Sequence, residues 1–270
     1  MTADALKVEL DRISAGIPGK VAYCMEHPAS GARVERDATD AFIAASVIKT
    51  PILMEAFRQA EHEGLDWNAP LPLHDSDKVG GSGVFNVLHD GLQTTVRDVA
   101  VLMTVVSDNT ATNMLLDKLG VDKVNAFLRA NGYTVTTCIR KLYDAEAIKK
   151  GIHNIIAAGE ITSLLTTVAQ GRLVSPSADE DLIGIMKKQQ YRDKIPHMLP
   201  KDAVTATKSG SLDEVSHDCG IVYLPSGDWF ALSIFTGDLV QSEEGPARSA
   251  VNNSMAEMSL ACYNYALAAG

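Results

Sequence analysis

Three short groups of residues stand out, and the first has the types and spacing of a serine nucleophile with an adjacent base. The first is Ser46-Val47-Ile48-Lys49, set in an apolar run that continues through Pro51-Ile52-Leu53-Met54. Apolar side chains surround nearly the whole circumference of such a helix, which places it inside the protein. Residues three apart share one helical face, so Ser46 and Lys49 lie side by side. A buried lysine loses its proton more readily than an exposed one, and a serine beside a neutral amine is a nucleophile with its base. If Ser46 opens the helix, its hydroxyl sits where free N–H groups favour a developing anion. Pro51 removes a backbone donor and crowds Val47, so a disturbed first turn is expected. The second group, Ser107-Asp108-Asn109, lies between two apolar helical segments. Taken by itself it reads as helix capping, since these are the preferred cap residues. The third, Lys208-Ser209-Gly210, closes a strand-like alternation that leads into Ser211.

The elements that must position these groups follow from periodicity and punctuation. Helices are expected over residues 3–15, 46–63, 96–106, 110–119, 121–131, 161–173, 178–190 and 245–268, each read from its apolar pattern. Strands are expected over 20–26, 31–37, 203–208, 218–224 and 229–236, with turns at His27-Pro28-Ala29-Ser30 and Pro225-Ser226-Gly227-Asp228. Strands from both chain ends can pair in one antiparallel sheet. The fold class is therefore α/β, an α+β sandwich in which terminal helices flank an antiparallel sheet. Residues 1–41 and 196–270 form this part, an all-helical insert spans 42–195, and the site lies at their interface. Gly80-Gly81-Ser82-Gly83 lacks the setting of a nucleotide-binding loop and reads as a mobile loop bordering a pocket. The long connection 132–160 is expected to be functional or mobile. His217-Asp218 invites a Ser-His-Asp reading, but neighbours on a strand point to opposite faces; His217 is placed at the pocket rim.

Composition removes several functions. The 270 residues carry a net charge of −10, which disfavours a nucleic-acid partner. No stretch approaches ~20 uninterrupted apolar residues, so no membrane span is expected. The N-terminus reads as an amphipathic helix and not a signal peptide, giving a cytoplasmic location as written, or a periplasmic or secreted one if a leader was removed. The four cysteines are widely spaced, with no metal-binding pattern, and read as buried free thiols.

In order, spacing and placement, the three groups resemble the class A β-lactamases and related penicillin-recognising serine hydrolases. The resemblance covers almost the whole chain and implies the β-lactamase/transpeptidase-like fold. It implies that Ser46 attacks a lactam, ester or amide carbonyl and that Lys49 takes its proton. The N–H groups of Ser46 and Ser211 would form the oxyanion hole. Ser107 would relay a proton to the leaving nitrogen. Asn109 would bond Lys49 and a substrate amide, Lys208 and Ser209 would hold the substrate carboxylate, and Gly210 would permit close backbone approach. Asp108 is read as structural. The partner implied is a small molecule bearing a carboxylate, with no metal or organic cofactor, on a monomer or weak dimer. One departure stands out. Efficient class A enzymes carry a Glu, followed four residues later by Asn, which activates the water that frees the acyl-enzyme. The corresponding position falls near Tyr143; the nearest carboxylates are Asp144 and Glu146, and Glu146 is taken as the candidate. The alternatives are an esterase, amidase or D-aminoacyl peptidase with slow β-lactam deacylation, and a non-catalytic β-lactam-binding protein.

Overall fold

The computed structural model describes residues 1–239 and 248–270. In chain order the elements are α1 (Ala3–Ser14), β1 (Lys20–His27), β2 (Ala32–Arg36), β3 (Phe42–Ile43), α2 (Lys49–His62), α3 (Val96–Val105), α4 (Asn109–Leu119) and α5 (Val121–Ala130). There follow α6 (Ala145–Lys149), β4 (Ile155–Ile156), α7 (Ala158–Ala169), α8 (Pro176–Met186), β5 (Thr205–Leu212), β6 (Val215–Tyr223), β7 (Trp229–Gly237) and α9 (Arg248–Ala269). The expected start of the last helix at 245 lies outside the described residues. The main sheet has the order β2-β1-β7-β6-β5 and is antiparallel throughout.

Strand alternation divides the interior into two cores. On β1, Val21, Tyr23 and Met25 face α1 and α9, whereas Ala22 and Cys24 face the helices α2 to α8. On β7, Ile234 and Phe235 divide in the same way. This is the period of two that a strand imposes, and it lets one sheet serve both cores.

Three differences from the expected elements bear on the site. First, Ala45–Ile48 is a tight 3-10 turn and the α-helix proper begins at Lys49. Pro51 thus falls in the first turn, where its missing N–H has no intrahelical acceptor to lose. Second, the long connection contains α6 and the two-residue β4, which pairs with β3; elements this short leave no periodicity to read. Third, the glycine-rich loop is held. Asp108 Oδ2 accepts from Val84 N (2.6 Å) and Phe85 N (2.8 Å), and Asn109 N donates to Ser82 O (3.0 Å). A Cβ at Gly83 would lie 2.3 Å from Asp108 Cγ, so only glycine allows the loop to close on that carboxylate.

Candidate active site

Ser46 sits on the 3-10 turn, half-buried, where the turn meets strand β5. A Cβ on Gly210 would lie 2.9 Å from Ser46 N and 3.1 Å from Val47 N, so glycine is what lets the strand backbone reach the turn. The turn is anchored from behind. Ala44 N donates to Asn154 O (2.8 Å), and His217 Nε2 donates to Ile43 O (2.8 Å) while its Nδ1 accepts from Thr236 N (3.2 Å). His217 is therefore fully buried and not at the pocket rim; burial pushes its pKa down to about 3. It is a neutral tether between the sheet and the segment leading to Ser46.

Lys49 is buried, and its Nζ donates to Ser107 O (2.6 Å), Ser107 Oγ (3.0 Å) and Asn109 Oδ1 (2.8 Å). Burial, reinforced by the nearby Lys208, pulls its pKa well below the ordinary lysine value. Lys208 Nζ also donates to Ser107 Oγ (3.0 Å) and to Ser209 O (2.7 Å). Burial lowers its pKa to about 7, with Cys219 and Asp218 opposing. Ser107 Oγ thus lies between two lysine amines and accepts from both. Its own proton is left to point away from them, toward the cleft that Ser107 lines.

Asp108 N-caps α4 through Ala111 N (2.9 Å), and its charge opposes the lowering of the Lys49 pKa. Backbone strain gathers here. Five described non-glycine residues have left-handed φ, and three of them, Ala45, Ser107 and Tyr143, border the cleft. Each such conformation costs ~1–3 kcal/mol and persists only where the surroundings impose it.

Two cavities meet at Ser46. One, of about 220 Å³, is polar and lined by Ser107, Asp193, Lys194, Ser209, Gly210 and Ser211. The other, of about 280 Å³, is walled by Ile43, Leu142, Tyr143, Ile148 and Leu212, with Asn109 at its edge. Ser46, Ser82 and Ser211 border both. The structure thus gathers Ser46, Lys49, Ser107, Asn109, Lys208, Ser209, Gly210 and Ser211 around one cleft.

Glu146 is not among them. Its side chain is 75% exposed, pairs with Lys149 on the same short helix, and lines neither cavity. Asp144 is spent on the N-cap of α6, accepting from Ala147 N (3.0 Å). Leu142 and Tyr143 take the place expected for a carboxylate. Asn113 fixes Leu142 by its backbone: Nδ2 donates to Leu142 O (2.9 Å) and Oδ1 accepts from Leu142 N (2.8 Å).

Sequence reasoning missed Lys194, Asn113 and Asn154. Lys194 is buried and donates to Gly210 O (3.0 Å), Ser211 Oγ (2.9 Å) and His217 O (3.0 Å). Burial lowers its pKa to about 8, with Asp218 and Asp193 opposing. It lines the polar cavity, whereas Lys208 is buried against Ser107 and Ser209. Asn154 accepts from Ile139 N (2.8 Å) and Arg140 N (3.0 Å) and closes the base of the loop. None of the three belongs to a short motif, so local spacing carries no signal for them.

The sequence family described as "Beta-lactamase enzyme family" matches residues 5–266. Beta-lactamase L2 of Stenotrophomonas maltophilia is 28% identical over 140 residues, 52% of this chain; the match spans 46% of that protein. A beta-lactamase crystal structure from Sphaerobacter thermophilus superposes with a TM-score of 0.88 at 25% identity, covering 99% of each chain. PBP-A superposes with a TM-score of 0.85 at 24% identity over 97% of this chain and 95% of its own; that likeness is one of fold.

Proposed function

We propose that this chain, which belongs to the beta-lactamase enzyme family, is a serine hydrolase that opens β-lactam amides through an acyl-serine intermediate and releases the acyl group slowly. The observation that carries this reading is the buried Lys49–Ser107–Lys208 array at the cleft that holds Ser46.

The geometry suggests a proton route. Lys49 Nζ faces three acceptors, and a neutral amine has only two N–H bonds to give. Ser107 O and Asn109 Oδ1 are carbonyl oxygens and accept only. The Ser107 hydroxyl is the one partner of the three that can reverse and donate to the amine. Lys49 then takes the Ser46 proton as Oγ attacks the carbonyl carbon. The N–H groups of Ser46 and Ser211 bind the oxygen that gains charge. As the C–N bond breaks, Ser107 gives its proton to the leaving nitrogen and is resupplied from Lys49. The polar cavity, lined by Lys194 and Ser209 with the buried Lys208 beside it, receives the carboxylate of the leaving half.

Slow release is supported by what stands on the other side of Ser46. No carboxylate among the described residues lines the apolar cavity, where Leu142 and Tyr143 stand. Water there lacks a general base, a contribution worth roughly 10²–10⁴-fold in rate. This same feature favours a peptidase or esterase on the same scaffold as the second reading, with β-lactams as trapping substrates.

Absorbance of a chromogenic cephalosporin tests the proposal. A burst stoichiometric with protein, followed by a slow steady rate and lost in Ser46→Ala, is expected. A steady rate without a burst, or a burst that survives Ser46→Ala, would contradict it.

A further inference from the structure

The peptide unit between Gly210 and Ser211 meets two different groups. Its N–H is the Ser211 donor of the proposed oxyanion hole. Its C=O belongs to Gly210 and accepts from Lys194 Nζ at 3.0 Å. No described peptide bond is cis, and in a trans peptide the C=O and N–H point in opposite directions. The lysine amine thus stands on the far side of this amide from its N–H.

Lys194 is fixed in that position. Its Nζ also donates to Ser211 Oγ (2.9 Å) and His217 O (3.0 Å), so each of its three protons has an acceptor. The next backbone N–H, that of Ile195, donates to the buried Asp218 carboxylate (3.1 Å), which sits on β6 opposite Ser209. Asp218 and Asp193 favour the charged amine, whereas burial and Arg248 oppose it; with a pKa of about 8 it is mostly protonated at neutral pH. An amide whose oxygen accepts from a cation draws more electron density from its nitrogen, and its N–H becomes a stronger donor. Exclusion of water enlarges the effect, and Lys194 is 2% exposed.

We infer that Lys194 is a positioning residue of the oxyanion hole, acting through the Gly210–Ser211 peptide: it holds the Ser211 N–H in place and strengthens it as a donor. Asp218 supports Lys194 by tethering Ile195. This role needs no carboxylate on the substrate, which separates it from simple charge attraction in the polar cavity. The inference rests on the acyl-serine reading above.

Benzylpenicillin and its methyl ester, which lacks the negative charge, test it. With either compound Ser46 Oγ bonds to the lactam carbon, the C–N bond breaks, and the Ser46 proton ends on the released nitrogen. The rate of Ser46 labelling is read by quenched-flow mass spectrometry. Losing an oxyanion donor outright costs about 10²–10³-fold, so weakening one in Lys194→Met should slow labelling roughly tenfold, with the ester as well as with the acid. Lys194→Arg, which keeps a cation behind the peptide, should restore most of the rate. The second readout is the carbonyl stretch of the acyl-serine ester, taken by infrared difference spectroscopy after reaction with benzylpenicillin. It reports only on molecules folded well enough to acylate. Weaker hydrogen bonding moves this band to higher wavenumber, so it should rise in Lys194→Met and return in Lys194→Arg. A methyl-ester rate unchanged in Lys194→Met, or a band that stays in place, would overturn the inference. Labelling of Ser46 by neither compound in the unmodified protein would instead overturn the acyl-serine reading itself.

Discussion

At the residue scale the chemistry turns on two lysines that share one hydroxyl and need opposite protonation states. In the proposed route Lys49 would serve as a base only when neutral, whereas Lys208 would hold a carboxylate only when charged. Both values are lowered, Lys208 to about 7. A basic group loses its charge as pH rises through its folded value, so capture of an anionic substrate weakens above pH 7. The second-order labelling rate should therefore show an alkaline limb near 7, and Lys208→Arg, which stays charged, should remove it. Bound substrate raises the Lys208 value, so the limb belongs to the free protein and should be absent from the saturating rate. Lys49→Met should reduce labelling roughly 10²–10⁴-fold. Ser46 and Lys49 stood out in the sequence by their local spacing, whereas Lys208 was singled out only through the resemblance carried by the three groups together. Lys194 was not, because it reaches Gly210 and Ser211 only through tertiary folding.

At the element scale the proposed slow release is ascribed to the loop between α5 and α7. Glu146 was chosen by proximity along the chain, but α6 turns it to solvent, where it pairs with Lys149. Glu146→Gln should leave the decay of the acylated protein unchanged. Leu142→Glu, at a backbone position locked by Asn113, should instead accelerate that decay by roughly tenfold or more. Decay is followed as loss of adduct mass after removal of free substrate. The loop stood out by its length; its path was not legible, because α6 and β4 are too short to show a period. The 3-10 turn at Ala45–Ile48 shows the same limit, since a serine at a helix start reads alike in either geometry.

At the scale of the molecule, one sheet carries two cores and presses its β5 edge against the turn that carries Ser46. The antiparallel sheet and the surrounding helices were legible from alternation and 3.6-residue spacing. The polar ties were not. His217, flagged by its neighbour Asp218, fastens β6 and β7 to β3 through Ile43 O and Thr236 N. Its folded value, about 3, lies below the ordinary 6.5. Between those values the unfolded chain binds the extra proton, so the stability it contributes above pH 6.5 is lost as pH falls toward 3. Denaturant unfolding of His217→Gln should show a shallower loss of stability over that interval than the unmodified protein. Ile234→Ala, in the core against α9, should cost about 2–5 kcal/mol.

The central claim is a nucleophile that acylates readily and releases slowly. Intact-protein mass spectrometry with peptide mapping, after mixing with a molar excess of benzylpenicillin, tests it most directly. One adduct of the full penicillin mass is expected, confined to Ser46 and persisting long after free drug is removed. Absence of an adduct, an adduct on another residue, or complete drug hydrolysis with no accumulated adduct would contradict it.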